Sequence, residues 1–278
     1  MKVIQSKCIG FDDYVVTIHG PNKATVEGGI LPKPFTITKL LGDGDANPKT
    51  KSVAVTMVGL SLFPARGVRI PGFNICPKAV TCVASCLAHQ GQGPVPTVKG
   101  SRAAKTVLFA LCRDWFMARL RRELDTFVRN NPDVPLGARL NMFSDVEWET
   151  LGIIDEYPMI QFYDYTKIPT RSGWLRPNYY VCLSYDGTNR KDCVETLRNG
   201  GSVSVVFYDT DGKCGKAAVK QQLPQTWEGF KVFDGNVTDW RPDDAPGTVC
   251  GLPLRARTYA SRDNAIKAGF AQLSASVQ

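Results

Sequence analysis

The chain has 278 residues, 43% of them hydrophobic and 22% charged, a composition that excludes large-scale disorder. Its formal charge of +8 favours contact with phosphates or other anions and says nothing about fold. The apolar runs fall short of a membrane span, and the opening MKVIQSKCIGFDDYVV lacks the apolar core of a secretory signal, so a soluble intracellular protein without a membrane partner is expected.

In chain order, residues 1–50 alternate short β-rich runs such as YVVTIHG and KATVEGG with Gly, Pro and Asn breaks. They read as a β-rich N-terminal extension ahead of a main domain over 51–278. The stretch VAVTMVGLSLFPA has the apolar density of a buried strand ended by Pro64. Helices are expected near 101–112 and 114–130. On the second, Phe116, Leu120, Leu124 and Phe127 form one apolar stripe. Arg119, Arg121, Arg122 and Arg129 lie elsewhere on its circumference and read as a solvated outer face rather than a dedicated nucleic-acid surface.

Beyond this pair, ARLNMFSD reads as a strand, VEWETLGIIDEYP as a helix, and MIQFYDY and YYVCLSY as strands. RKDCVETLRNGG is helical, and SVSVVFYDTD, FKVFDG and GTVCGL complete the strands. Strands alternating with helices imply βαβ units and a parallel sheet. The order suits an open doubly wound sheet or a full or partial (β/α) barrel. Polar groups at strand ends (Ser144 and Asp145, Asp164 and Tyr165, Ser184, Asp209, Asp234) favour the barrel, whose chemistry gathers at the C-terminal strand ends.

Between the apolar strand and the first helix lies NICPKAVTCVASCLAHQGQG, with Cys76, Cys82 and Cys86 followed by His89. The loop should open at the same C-terminal edge. Nine cysteines without a secretion signal fit a reducing compartment. Cys112 and Cys182 sit in apolar stretches and are expected to be buried. Thiolates select zinc or iron–sulfur centres. Three readings of the loop stand together: a [4Fe-4S] cube on three cysteines with one iron open, a closed Cys₃His zinc site completed by His89, or three cysteines without metal. With only His19 and His89 in the chain, a histidine-rich catalytic zinc site and a Ser–His–Asp triad are poor candidates. No dinucleotide or Walker fingerprint is present.

The segments KLLGDGDANPKTKS, GLSLFPARG, FNICPKAVTCVASCLAHQGQG, RLNMFSDVEWE, IQFYDYTK and VFDGNVTDWRPDD…GTVCGL resemble, in this order, the phage-encoded gene-product-88-like family. The resemblance runs from about residue 39 to residue 256 and implies phage origin, and with it the cytoplasm of a bacterial host. More distantly, the chain is similar to radical S-adenosylmethionine enzymes. These carry three cysteines in the loop after the first strand of a partial barrel, on a cluster whose open iron binds the methionine amine and carboxylate. Here the spacing is C-x5-C-x3-C rather than C-x3-C-x2-C, with Ser85 where those enzymes place an aromatic residue.

That similarity implies Cys76, Cys82 and Cys86 as cluster ligands and Asp145, Asp164, Tyr165 and Lys167 as catalytic candidates. It implies Asn141, Ser144, Ser184, Asn189, Asp234 and Arg255 as contacts to S-adenosylmethionine or substrate. The reaction implied is one-electron reductive cleavage of the sulfonium, giving a carbon radical that abstracts hydrogen from a substrate, expected to be a nucleotide or nucleic acid. The alternative is a zinc-stabilised, non-enzymatic binder of nucleic acid or of a host protein. A host-takeover protein acting by interaction alone is the third expectation.

Overall fold

The computed structural model describes residues 2–7, 13–43, 54–65, 67–83, 86, 93–209, 223–256 and 258–274. The chain opens with an antiparallel meander of β1 (Lys2–Lys7), β2 (Asp13–Ile18), β3 (Ala24–Gly28) and β4 (Phe35–Ile37). Alternation in β2 and β3 buries Tyr14, Val16, Ala24 and Val26 on one face. After β5 (Leu41–Asp43) and β6 (Thr56–Leu60), the helices α1 (Pro96–Leu111) and α2 (Arg113–Asn130) cross to β7 (Leu136–Arg139). Phe116, Leu120, Leu124 and Phe127 of α2 are buried, as their spacing predicts. The meander lies against α1, so close that a Cβ on Gly100 would sit 2.8 Å from the Phe35 ring.

The stretch read as one helix after β7 is a 3-10 turn at Trp148–Leu151 and a single turn, α3 (Ile153–Glu156), broken by Gly152 at φ 76°. Then come β8 (Ile160–Thr166), β9 (Gly173–Arg176), β10 (Tyr179–Ser184), α4 (Arg190–Arg198) and β11 (Val203–Tyr208). The chain ends with β12 (Thr226–Trp227), β13 (Phe230–Asp234), β14 (Val249–Pro253), α5 (Tyr259–Lys267) and β15 (Ala271–Leu273).

These strands form one large mixed sheet in the order β12-β13-β14-β11-β10-β8-β7-β6-β5, with β9 on β10 and β15 on β11. From β6 to β13 every neighbouring pair along this path is parallel. The parallel sheet expected from the alternation is present, but the expected barrel is not: the sheet is open. Closure would need the outer edges of β6 and β13 to meet. Instead β5 pairs antiparallel with β6 (Leu41↔Leu60) and β12 pairs antiparallel with β13 (Trp227↔Phe230), so each edge already has a partner. The chain also steps past β14 to place β13 outside it, which breaks the sequential order of a barrel.

Helices α1, α2 and α4 cover one face. Residues of α1 and α2 share a core with Leu136, Ala138, Ile160, Phe162, Tyr179 and Val181, and Cys193 and Leu197 of α4 join Leu183, Val203 and Val205. Helix α5 lies on the other face, where Ala265 and Ile266 pack with Val206 and Tyr208 of β11, so helices lie on both faces of the sheet. The α5 face also carries Met57, Tyr163, Tyr180 and Cys182, packed against Trp240 from the β13–β14 connection. Cys112 and Cys182 are buried, as expected. Among the described residues no helix is long and apolar enough to cross a membrane.

Candidate functional site

Past the end of β7 the chain turns through NMFSDV, and Asn141 organises the turn. Its Oδ1 accepts from Ser144 Oγ at 2.8 Å, Val146 N at 2.9 Å and Trp148 Nε1 at 3.1 Å. Its amide N–H and Nδ2 donate to the Asp164 carboxylate at 2.7 and 3.2 Å, and Nδ2 also donates to Val146 O. Asp164 lies at the C-terminal end of β8, 1% exposed, and accepts a third hydrogen bond from Tyr179 Oη at 3.0 Å. Burial pushes its carboxyl up to about 7, against these donors and the nearby Arg139.

Asp145, next in the turn, accepts from Thr166 Oγ1 at 2.8 Å, Lys167 N at 2.9 Å and Arg171 Nη1 at 2.6 Å. Arg171 is 5% exposed and also clasps both oxygens of Glu149 at 2.6 and 2.9 Å. Burial opposes the charge of Arg171, yet Glu149 and Asp145 hold its pKa above the ordinary value. One buried arginine therefore ties the turn after β7 to the end of β8.

The sulfur loop lies across this edge. Ile75 O accepts from Asp145 N at 2.7 Å, Cys76 Sγ donates to Phe143 O at 3.4 Å, and Thr81 Oγ1 donates to Asp186 O just past β10. Cys76, Cys82 and Cys86 are all half-buried. Burial, helped by Cys86, Asp145 and Cys82, pushes the Cys76 thiol up to about 12. Burial also raises Cys82, while Lys167 favours its thiolate. Arg102 of α1 feels Cys86 in the same way and stacks 4.1 Å over the Phe143 ring. The three sulfurs share a neighbourhood with two cations. Among the described residues no three Cys, His, Asp or Glu side chains are placed to hold one metal ion. His89 and Ser85 lie outside the described residues.

A family model described as Gene product 88 matches residues 38–272. The chain belongs to the Gene product 88 family. This is a phage gene-product family, which supports a bacteriophage origin. The match takes in the sulfur loop and the large sheet, and begins just after β4. No curated protein and no solved structure matches the chain.

In this Gene product 88 chain the structure brings Asn141, Ser144, Asp145, Asp164 and Lys167 together beside the sulfur loop. Others predicted from sequence go elsewhere. Tyr165, adjacent to Asp164 on a strand, faces the opposite side, where its hydroxyl is 3.3 Å from Asp239 and Arg139 stacks on its ring at 4.5 Å. Ser184 is on that side too, accepting from Ser204 Oγ at 3.0 Å. Asn189 braces the turn before α4, accepting from Asp186 N and donating to Ser184 O. Asp234 caps its own turn through Asn236 N, and Arg255 donates to Asn236 Oδ1.

Sequence reasoning missed Arg171, Glu149 and Arg102, since no motif marks a single arginine that reaches across loops. It also missed the polar cluster on the opposite face of this Gene product 88 sheet. There the fully buried Arg241 donates to Cys250 Sγ at 2.7 Å and pairs with Asp244 at 3.3 Å. The stretch VTDWRPDD supplies Arg241 and Asp244, and its density of charge and aromatic residues was the available signal.

Proposed function

We propose that Cys76, Cys82 and Cys86 hold a [4Fe-4S] cluster at the C-terminal edge of the sheet, and that the protein is a radical S-adenosylmethionine-type enzyme acting on a nucleotide or nucleic acid. The observation that carries this reading is the single neighbourhood shared by three half-buried thiols, Lys167 and Arg102, pinned over the ends of β7 and β10. The donor set suits the group: soft thiolates in a loop that has cations beside it to offset a negatively charged centre. Among the described residues these thiols are not placed to hold one ion, so binding the cluster would require them to come together. When bound, such a cluster supplies one electron to a ligand on its open iron.

The chain's own residues have separate tasks. Lys167 and Arg102 stabilise anionic groups at the loop. The Asp145–Arg171–Glu149 clasp and the Asn141–Asp164 hydrogen bonds keep the floor of the site rigid, so that the loop closes on fixed partners. The net charge of +8 favours an anionic substrate.

Purification and reconstitution without air should give a brown protein with about four irons per chain. Cys82→Ser should lose the colour while keeping the circular-dichroism spectrum. Iron-loaded protein given a reductant should cleave S-adenosylmethionine to 5′-deoxyadenosine and methionine. A colourless protein that refuses iron overturns the cluster. One tightly held zinc, released by His89→Ala, points instead to the closed Cys₃His site of a binding protein.

A further inference from the structure

Away from the sulfur loop, a cleft of about 630 Å³ opens between α2 and the segment that joins the N-terminal meander to β5. Its lining is rich in charge, and most of that charge is already used. Both oxygens of Glu123 are taken by Leu40 N, Leu41 N and Arg119 Nε at 2.7–3.0 Å. Arg119 also donates to Asn22 Oδ1 and Thr38 O at 2.5 Å each, so it serves as an internal brace rather than a solvated side chain. Asp125 accepts from Tyr157 Oη at 2.8 Å.

Three exposed cations of the lining, Lys39, Arg122 and Arg129, make no ion pair with any described residue, though Arg129 donates to Thr126 Oγ1 at 3.3 Å. Arg122 and Arg129 are seven residues apart on α2, on one face and about 10 Å apart along the axis. Asn130, exposed on the same helix, adds a neutral hydrogen-bonding group to the lining, while the Thr126 hydroxyl is engaged with Arg122 O and Arg129. The one aromatic residue in the lining, Phe127, is buried in the core, so no ring is offered for a base to stack on.

We propose that this cleft is a second site that binds the sugar–phosphate backbone of nucleic acid without reading its sequence. Cations without ion pairs at a two-turn spacing, with the neutral amide of Asn130 beside them, suit phosphates along one strand. The cleft is also much larger than one phosphate requires. An acidic protein surface is disfavoured because Glu123 and Asp125 sit on the same wall and would repel a dense carboxylate patch, whereas a strand can place its phosphates at the cations alone. The proposal does not depend on the metal centre.

The test is fluorescence anisotropy of a labelled mixed-sequence oligonucleotide with the full chain, metal-free and metal-loaded, between about 50 and 200 mM salt. Binding is expected in both states, indifferent to base sequence. Arg122→Glu with Arg129→Glu should weaken it about tenfold or more and reduce the log–log salt slope by about 2, with the thermal midpoint unchanged. Lys191→Glu with Arg198→Glu, an exposed pair at the same spacing on α4, should leave binding intact. Undiminished binding by the α2 pair, equal loss from the α4 pair, or no binding at the lowest salt overturns the proposal. Full displacement by inorganic phosphate at matched ionic strength also overturns it, by showing a small-anion pocket.

Discussion

Asp164 is a carboxyl with all its hydrogen bonds made and almost no water. Burial raises its pKa from the ordinary value near 4 to about 7 in the folded chain, and Asp244 on the opposite face is raised by burial to about 7 as well. Between these values the native state binds protons that the unfolded state has released. The carboxyls therefore cost nothing below about pH 4 and lower stability progressively as pH rises to about 7. Thermal midpoints should be higher at pH 5 than at pH 8, and Asp164→Asn should flatten that dependence. An unchanged slope in the variant would show that Asp164 is already ionised at pH 5. The sequence marked Asp164 as a strand-end polar group and set Tyr165 beside it. Strand alternation separates the two by the thickness of the sheet, a consequence legible in the sequence once the strand is drawn as a strand. The partners of Asp145 were not legible, because Arg171 reaches it from 26 residues away.

At the scale of elements, the face opposite α1, α2 and α4 is covered over β7, β8 and β10 by the β13–β14 connection, and over β11 by α5. Trp240 of that connection lies flat enough on β7 that a Cβ on Gly137 would meet its Cζ3 at 2.7 Å and Val55 at 3.0 Å. Gly137→Ala should push the indole off the strand, red-shift the emission assigned to Trp240 by comparison with Trp240→Phe, and cost about 1–3 kcal/mol in denaturant unfolding. Unshifted emission with unchanged stability would mean that the connection is only loosely seated. The periodicity of α2 announced its buried stripe correctly. It could not announce that Arg119 turns inward to brace Thr38 and Asn22, because that choice depends on where the meander docks.

Across the whole molecule, the N-terminal meander and the large sheet are joined through α1 and α2: Tyr14, Val16 and Val26 belong to the same buried cluster as Leu108, Phe116 and Phe162. Trp115 Nε1 adds a hydrogen bond to Gly20 O at 2.8 Å, and Lys105 Nζ one to Leu40 O at 2.7 Å. Calorimetry should accordingly give one cooperative unfolding transition. Two resolved transitions would show the first forty residues to be an independent unit.

The sequence by itself determined what short-range periodicity carries: the two long helices, most strands of the parallel series, the position of the sulfur loop after the first of them, and family membership through linked motifs. Only the tertiary structure decided that β5 and β12 occupy the edges a barrel would have joined, that α5 lies on the face opposite the other long helices, that Arg171 clasps the turn after β7, and that Arg102 and Lys167 stand beside the cysteine loop. The division follows from range. A side chain's burial repeats every two or 3.6 residues and is written locally. Edge pairing and buried ion pairs join residues many positions apart, and they are settled by which contacts the folded chain can satisfy at once.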